Sequence, residues 1–202
     1  MKYSLIVLFI CAATLHAGED ILLQRIVALE KHVAELEEKL APVFEEERIK
    51  DVATQQKNLA RERMLMDAEF LSRLDLNLVE KAYHTANQDW KAEEARKAVA
   101  LLSERYPRAN RTGCAVLNLA QSTADEEQLE LLGQAIGKHN GCFYANGVQV
   151  GAYARLYLGM RHKKDGKDEE AATLFEEIRT TYPNAIDHKG QLLTSHLEGM
   201  EL

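Results

Sequence analysis

From Leu22 the apolar residues stand at Leu22, Ile26, Leu29, Val33, Leu36, Leu40 and Val43, at alternating intervals of four and three. That is a heptad seam, with Ile26, Val33 and Leu40 at a and Leu22, Leu29, Leu36 and Val43 at d. Charged flanks agree with it: Arg25 at g meets Glu30 at e of a parallel neighbour, and His32 meets Glu37. The seam predicts a homo-oligomer, dimer or trimer, through Leu22–Val43, and Ile and Val at a with Leu at d lean toward two strands. The alternative is an amphipathic helix packed on its own domain, whose wider stripe normally recruits e or g. Pro42 interrupts the run, and Glu45, Glu46 and Glu47 suit the start of a new helix, where acids complement the N-terminal dipole. Ile49, Val52, Leu59, Met66 and Phe70 continue a looser seam to about Arg73, with Gln56 and Arg63 where apolar residues are expected. This second helix either extends the coil or folds back on the domain that follows.

The C-terminal two-thirds repeats itself. Asp89, Lys91, Glu93, Glu94, Ala95, Tyr106 and Pro107 recur 76 residues later as Asp165, Lys167, Glu169, Glu170, Ala171, Tyr182 and Pro183. A weaker middle copy opens at Asp125, Glu126 and Glu127 and ends at Asn140 and Gly141, its Glu126 standing 33 residues after Glu93. An insertion around Phe143–Gly151 separates it from the last copy. In that last copy Gly159 and Ala171 are small enough for two antiparallel helices to approach, Phe175 fills their interface, and Pro183 ends the unit.

Composition narrows the class. Three Pro, 11 Gly and 6% aromatic residues among 202 favour a mostly helical chain over a β-sandwich. A formal net charge of −7 argues against nucleic acid or anionic lipid as main partner, since both reward a basic surface. Met1–Ala17, with Lys2 ahead of an apolar core from Leu5 to Leu15, has the layout of a secretory signal peptide, and the core is shorter than the roughly 18–20 residues a spanning helix needs. Leu15 at the −3 position makes the cleavage site imperfect, so a retained anchor is the alternative; with cleavage near Gly18, no membrane span is expected. Export leaves Cys114 and Cys142, an even pair that reads as one disulfide contributing about 3 kcal/mol. Two separate buried thiols are the alternative.

The last copy resembles a tetratricopeptide (TPR) repeat: Leu158 and Gly159 match the Leu-Gly pair of the first helix, Gly166 the turn, Ala171 and Phe175 the second helix, and Pro183 the terminal proline. The first copy has Tyr83 for the first Gly and Trp90 at the turn, and the middle copy lacks the Leu-Gly pair. The resemblance covers roughly residues 75–185 and implies helical hairpins stacked around a concave groove. By its spacing the groove-facing positions include Tyr153, Leu156, Met160, Lys163 and Lys164, and in the first copy Asn77, Glu80, His84, Asn87 and Gln88. Such a lining suits an extended peptide or a partner helix. The basic clamp by which some TPR domains hold a terminal carboxylate is not reproduced, because Glu80 and His84 occupy its place. In layout, though not in residues, an exported coil followed by TPR-like hairpins resembles envelope proteins of Gram-negative bacteria, the family of the Tol–Pal-associated cell-division coordinator. That likeness implies a periplasmic adaptor.

Two further stretches carry candidate chemistry. Asn140–Gly151 reads either as a binding loop presenting Phe143 and Tyr144 or, preferably, as a structural insert. Asn110, Arg111 and Thr112 form a sequon, and Asn110 reads better as a helix N-cap. No HExxH, nucleophile elbow or paired carboxylate in a defined setting occurs, so neither an enzyme, a cofactor nor a metal is expected. The expectation is an all-α protein: signal peptide 1–17, coiled coil and connecting helix 18–73, TPR-like hairpin solenoid 74–185 and capping segment 186–202. Its expected role is an exported protein-interaction adaptor, with a structural oligomer lacking a separate ligand as the alternative.

Overall fold

The computed structural model describes the backbone of residues 2–199 and the side chains of residues 23–199. The signal-peptide reading of Met1–Ala17, Cys11 included, lies outside the described side chains. Among the described residues the chain is all-α, with seven α-helices followed by one short 3-10 helix. It divides into two compact units, one ending at Arg48 and the other starting at Ile49.

The first unit is a single stretch of α1, the helix Lys2–Phe70. This helix runs unbroken through Pro42, where the pattern predicts an end. Proline removes the donor to the Glu38 carbonyl and crowds it, a local cost of about 3 kcal/mol. No competing signal exploits that weakness: no glycine stands between Gly18 and Gly113, and Ala, Leu, Glu and Lys fill the flanks. The heptad residues have no cover. Ile26, Leu29, Val33, Leu36, Leu40 and Val43 are between 44% and 63% exposed.

The second unit comprises the end of α1 and three helical hairpins. They pair α2 (Arg73–Ala86) with α3 (Glu93–Arg105), α4 (Asn110–Ser122) with α5 (Asp125–Lys138), and α6 (Val150–Lys164) with α7 (Asp168–Thr181). Each hairpin packs on the next, and α2, α4 and α6 also touch in succession. The chain breaks at Leu71–Ser72 because Ser72 caps α2: its Oγ accepts the Asp75 N–H at 3.1 Å and donates to the Asp75 carboxylate at 2.6 Å. Within the third hairpin, a Cβ at Gly159 would collide with the Phe175 ring, and Phe175 and Ala171 are wholly buried, as the spacing predicts. Burying that phenyl contributes about 2–3 kcal/mol. Leu193 and Leu197, from the 3-10 helix Leu193–Leu197, complete the same core.

Helices α3, α5 and α7 end in one recurring turn. The N–H groups of Ala109, Cys142 and Ala185 bond to the carbonyls of Tyr106, His139 and Tyr182, each at 3.0 Å. The middle copy is thus a full repeat junction although it has Asn140 in place of proline. Its inserted loop is closed by an antiparallel bridge between Phe143 and Gln149, and the same loop recurs after α7, closed by Ile186 and Leu192. Equivalent bonds hold both: Tyr144 N–H to the Val148 carbonyl at 2.9 Å, and Asp187 N–H to the Gln191 carbonyl at 2.8 Å. Gly147 (φ +95°) and Gly190 (φ +81°) take the same left-handed position.

Ile49, Val52, Gln56, Ala60, Arg63 and Asp67, spaced by three or four, form the inward side of α1 in this unit. The Leu59–Met66–Phe70 line that the apolar pattern favours faces outward instead, at 45%, 50% and 38% exposure. This inward seam meets the repeat junctions one after another. Val52 packs on Ile186 and Leu192 of the last loop. Next, the backbone at Gln56 and Lys57 lies against Gly147, where a Cβ would stand 2.9 Å from the Lys57 nitrogen. Arg63 donates to the Arg108 carbonyl at 2.6 Å, and Asp67 accepts the Asn110 N–H at 2.8 Å.

Asp67 therefore caps α4, whose N-cap position holds Ala109 with no side-chain oxygen. Asn110, expected as that cap, is the first helical residue and buried. Its Nδ2 donates to the Phe143 carbonyl and its Oδ1 accepts the Phe143 N–H, each at 2.8 Å, so one amide joins two junctions. Arg63 also donates to Asp67 at 2.6 Å. Replacing Asp67 by Ala removes the cap and leaves Arg63 without its acid, with an expected loss of about 3 kcal/mol in urea unfolding. Glu69→Ala, an exposed change on the same turn, is expected to stay within about 0.5 kcal/mol of the parent.

Candidate partner-binding surface

Helices α2, α4 and α6 open the three hairpins and touch in succession, so the residues they bring together form one continuous surface. At its α2 end Arg111 donates to Glu80 at 2.8 Å, and its guanidinium stacks 4.7 Å from the centre of the Tyr83 ring. The Tyr83 hydroxyl accepts from Asn118 Nδ2 at 3.2 Å, and Asn118 Oδ1 accepts from the Tyr144 hydroxyl at 2.9 Å. From Tyr144 the rings continue edge to face through His188 (5.0 Å), Tyr153 (5.1 Å) and Tyr157 (5.2 Å). On the far side of Tyr83, Trp90 stands edge-on at 5.9 Å.

Burial pushes the pKa of Tyr83, Tyr144 and Tyr153 up, so these hydroxyls stay protonated near neutral pH. His188 is pulled down by burial against the opposing charge of Asp187, which favours its neutral ring. The ladder holds ring edges, an amide and hydroxyls in fixed directions. Among the described residues no group of three His, Cys, Asp or Glu side chains is placed to hold a metal ion.

The expected groove residues divide. Glu80 lies in the ladder through Arg111, and Tyr153 through His188 and Tyr157. Asn87 accepts from the Trp90 indole at 3.2 Å, and His84 lies 3.0 Å from the Gln88 amide, so these three are exposed but tied to neighbours. Asn77, Met160 and Lys164 are exposed, and Lys163 is half-buried. Leu156 is not a lining residue: it is 3% exposed and packs with Ala152, Ala171 and Phe175, because its position on α6 faces α7. Tyr83, Asn118, Tyr144, Tyr157 and His188 escape the repeat pattern, since the ladder joins five segments through side chains that no single helical period connects. The loop Asn140–Gly151 is structural for the most part, with Phe143 and Tyr144 both buried.

The expected Cys114–Cys142 disulfide is absent; both are free, buried thiols. Cys142 Sγ lies against Gly113, where a Cβ would stand 2.7 Å away, whereas Cys114 Sγ donates to the Phe143 carbonyl at 3.3 Å. Successive residues of a helix point about 100° apart, so a side chain seated on position 113 does not face 114. Cys142 also holds the junction position that Ala109 and Ala185 hold elsewhere, a site for a small buried side chain.

No protein-family model matches the chain, and no curated protein or solved structure matches it. Among the described residues no helix is long and apolar enough to cross a membrane.

Burial raises the pKa of both thiols. In the native protein at pH 8, Cys114 and Cys142 are expected to resist Ellman's reagent and both to react after denaturation, with peptide mass spectrometry assigning the sites. A Cys114–Cys142 cross-linked peptide from non-reduced protein would contradict this.

Proposed function

We propose that the chain is an exported, self-associating protein-interaction adaptor of the bacterial cell envelope, with TPR-like hairpins as its binding part. The observation that carries the reading is the uncovered heptad row. Ile26, Leu29, Val33, Leu36, Leu40 and Val43 keep close to half or more of their surface exposed on a helix with nothing of its own unit to bury them. A second or third copy in parallel register would bury that row and bring Arg25 to Glu30. The signal-like Met1–Ala17 and the Tyr-Pro turns at 106–107 and 182–183 support the exported and TPR-like parts of the proposal. A peptide or partner helix would bind along α2, α4 and α6, between His84 and Gln88 at one end and Met160 and Lys164 at the other. The periplasm is the proposed compartment.

The second reading is a structural oligomer without a separate ligand. It draws on the internal pairing of the ladder, in which Tyr83, Asn118 and Tyr144 already satisfy one another.

Light scattering tests the self-association. The chain from Gly18 is expected to have two or three times the mass of a protomer, and a chain beginning at Ile49 to be monomeric. Equal association states for the two would remove the coil from the proposal.

A further inference from the structure

The opposite side of the first hairpin carries a second concavity that the sequence pattern does not announce. Between α2 and α3 lies an apolar groove of about 400 Å³. Its floor is Ala82 and Ala98, and its walls are Leu78 and Leu101, which keep 44% and 41% of their surface exposed. On α2 the lining positions Leu78, Lys81, Ala82 and Thr85 follow one face at i, i+3, i+4 and i+7. At about 100° per residue that face points away from Glu80 and Tyr83, the side chains through which α2 reaches α4.

The fold itself indicates the shape of the occupant. The first hairpin receives α4 on its other side, and α4 and α5 in turn receive α6. A helix laid across a pair of helices is thus the packing mode already used twice in this unit. The charge of the rim indicates its chemistry. Lys81, Lys97 and Arg105 stand around the apolar floor, none with an ion-pair partner among the described residues, and Glu94 is the one acid in the lining. Such a basic rim is unusual on a chain of net charge −7. Lysine and arginine stems extend the apolar walls while their cations remain available to carboxylates.

We infer that this groove docks an amphipathic helix of a partner protein, with an apolar stripe on Ala82, Ala98, Leu78 and Leu101 and Glu or Asp residues flanking the stripe to meet Lys81, Lys97 and Arg105. The site is separate from the α2–α4–α6 surface and does not require the coil.

Two synthetic helices of about 20 residues with one leucine stripe, flanked by Glu in one and by Lys in the other, test the inference by fluorescence anisotropy against the full chain. The Glu-flanked helix is expected to bind at least about tenfold more tightly. Leu101→Asp is expected to weaken it about tenfold or more with an unchanged thermal melt, and the exposed double change Lys81→Glu with Lys97→Glu to transfer the preference to the Lys-flanked helix. Equal binding of the two helices, unaltered binding to the Leu101→Asp protein, or a preference that survives the double charge reversal would each overturn it.

Discussion

A carboxylate and a guanidinium one turn apart on α1 tie the first repeat junction to a helix outside the repeats. Asp67 supplies the N-cap that α4 lacks, and Arg63 holds both Asp67 and the Arg108 carbonyl. Helix starts inside a stack of hairpins are costly to leave open, because each exposes N–H groups with no partner in their own helix. Repeat junctions that would otherwise be free turns are thereby tied to a helix from outside the repeats. The same helix face then meets the second junction through Gly147 and the third through Val52. Two of its inward positions, Arg63 and Asp67, are polar because their partners are backbone groups at a junction rather than side chains in a core.

This constraint explains choices that look irregular residue by residue. Gly147 is required twice over, by its left-handed backbone and by the nearness of the Lys57 nitrogen. Asn110 uses its amide as a piece of strand, pairing both polar groups of Phe143, and so couples the first junction to the second. Cys142 needs no redox role: the junction calls for a small apolar group, and Ala109 and Ala185 fill that need in the other two copies. Further along the stack, Asn140 accepts from the Tyr182 hydroxyl at 2.8 Å and from Arg155 at 2.9 Å, coupling the second junction to the third.

Much of the helical architecture is legible in the sequence because it rests on local periodicity. The acids opening α3, α5 and α7, the Tyr-Pro turns, and the fit of Gly159 to Phe175 all follow from residues close in sequence or one hairpin apart. What escapes depends on distant partners. Arg63 looks like a fault in an apolar seam until the junction carbonyl it meets is in place. The loop 186–192 repeats 143–149 with only its glycine and its opening apolar residue in common, too little to stand out. Pro42 misleads in the other direction, since a long run of good helix formers outweighs one lost bond. Leu156 is assigned to a groove by family spacing, whereas its neighbours Ala152 and Gly159 place it against α7.

The two units differ in how they treat apolar surface: the first leaves its heptad row exposed, and in the second the face of α1 from Ile49 to Asp67 is packed against the hairpin junctions. The second unit depends on the tie between α1 and the hairpin junctions. Urea unfolding of a chain beginning at Ile49, compared with one beginning at Ser72 so that the cap of α2 is kept, tests it directly. The longer chain should unfold in one cooperative transition, and the shorter should lose most of its stability along with the seam from Ile49 to Asp67. Equal midpoints for the two would show that the hairpins stand without α1 and would contradict the account.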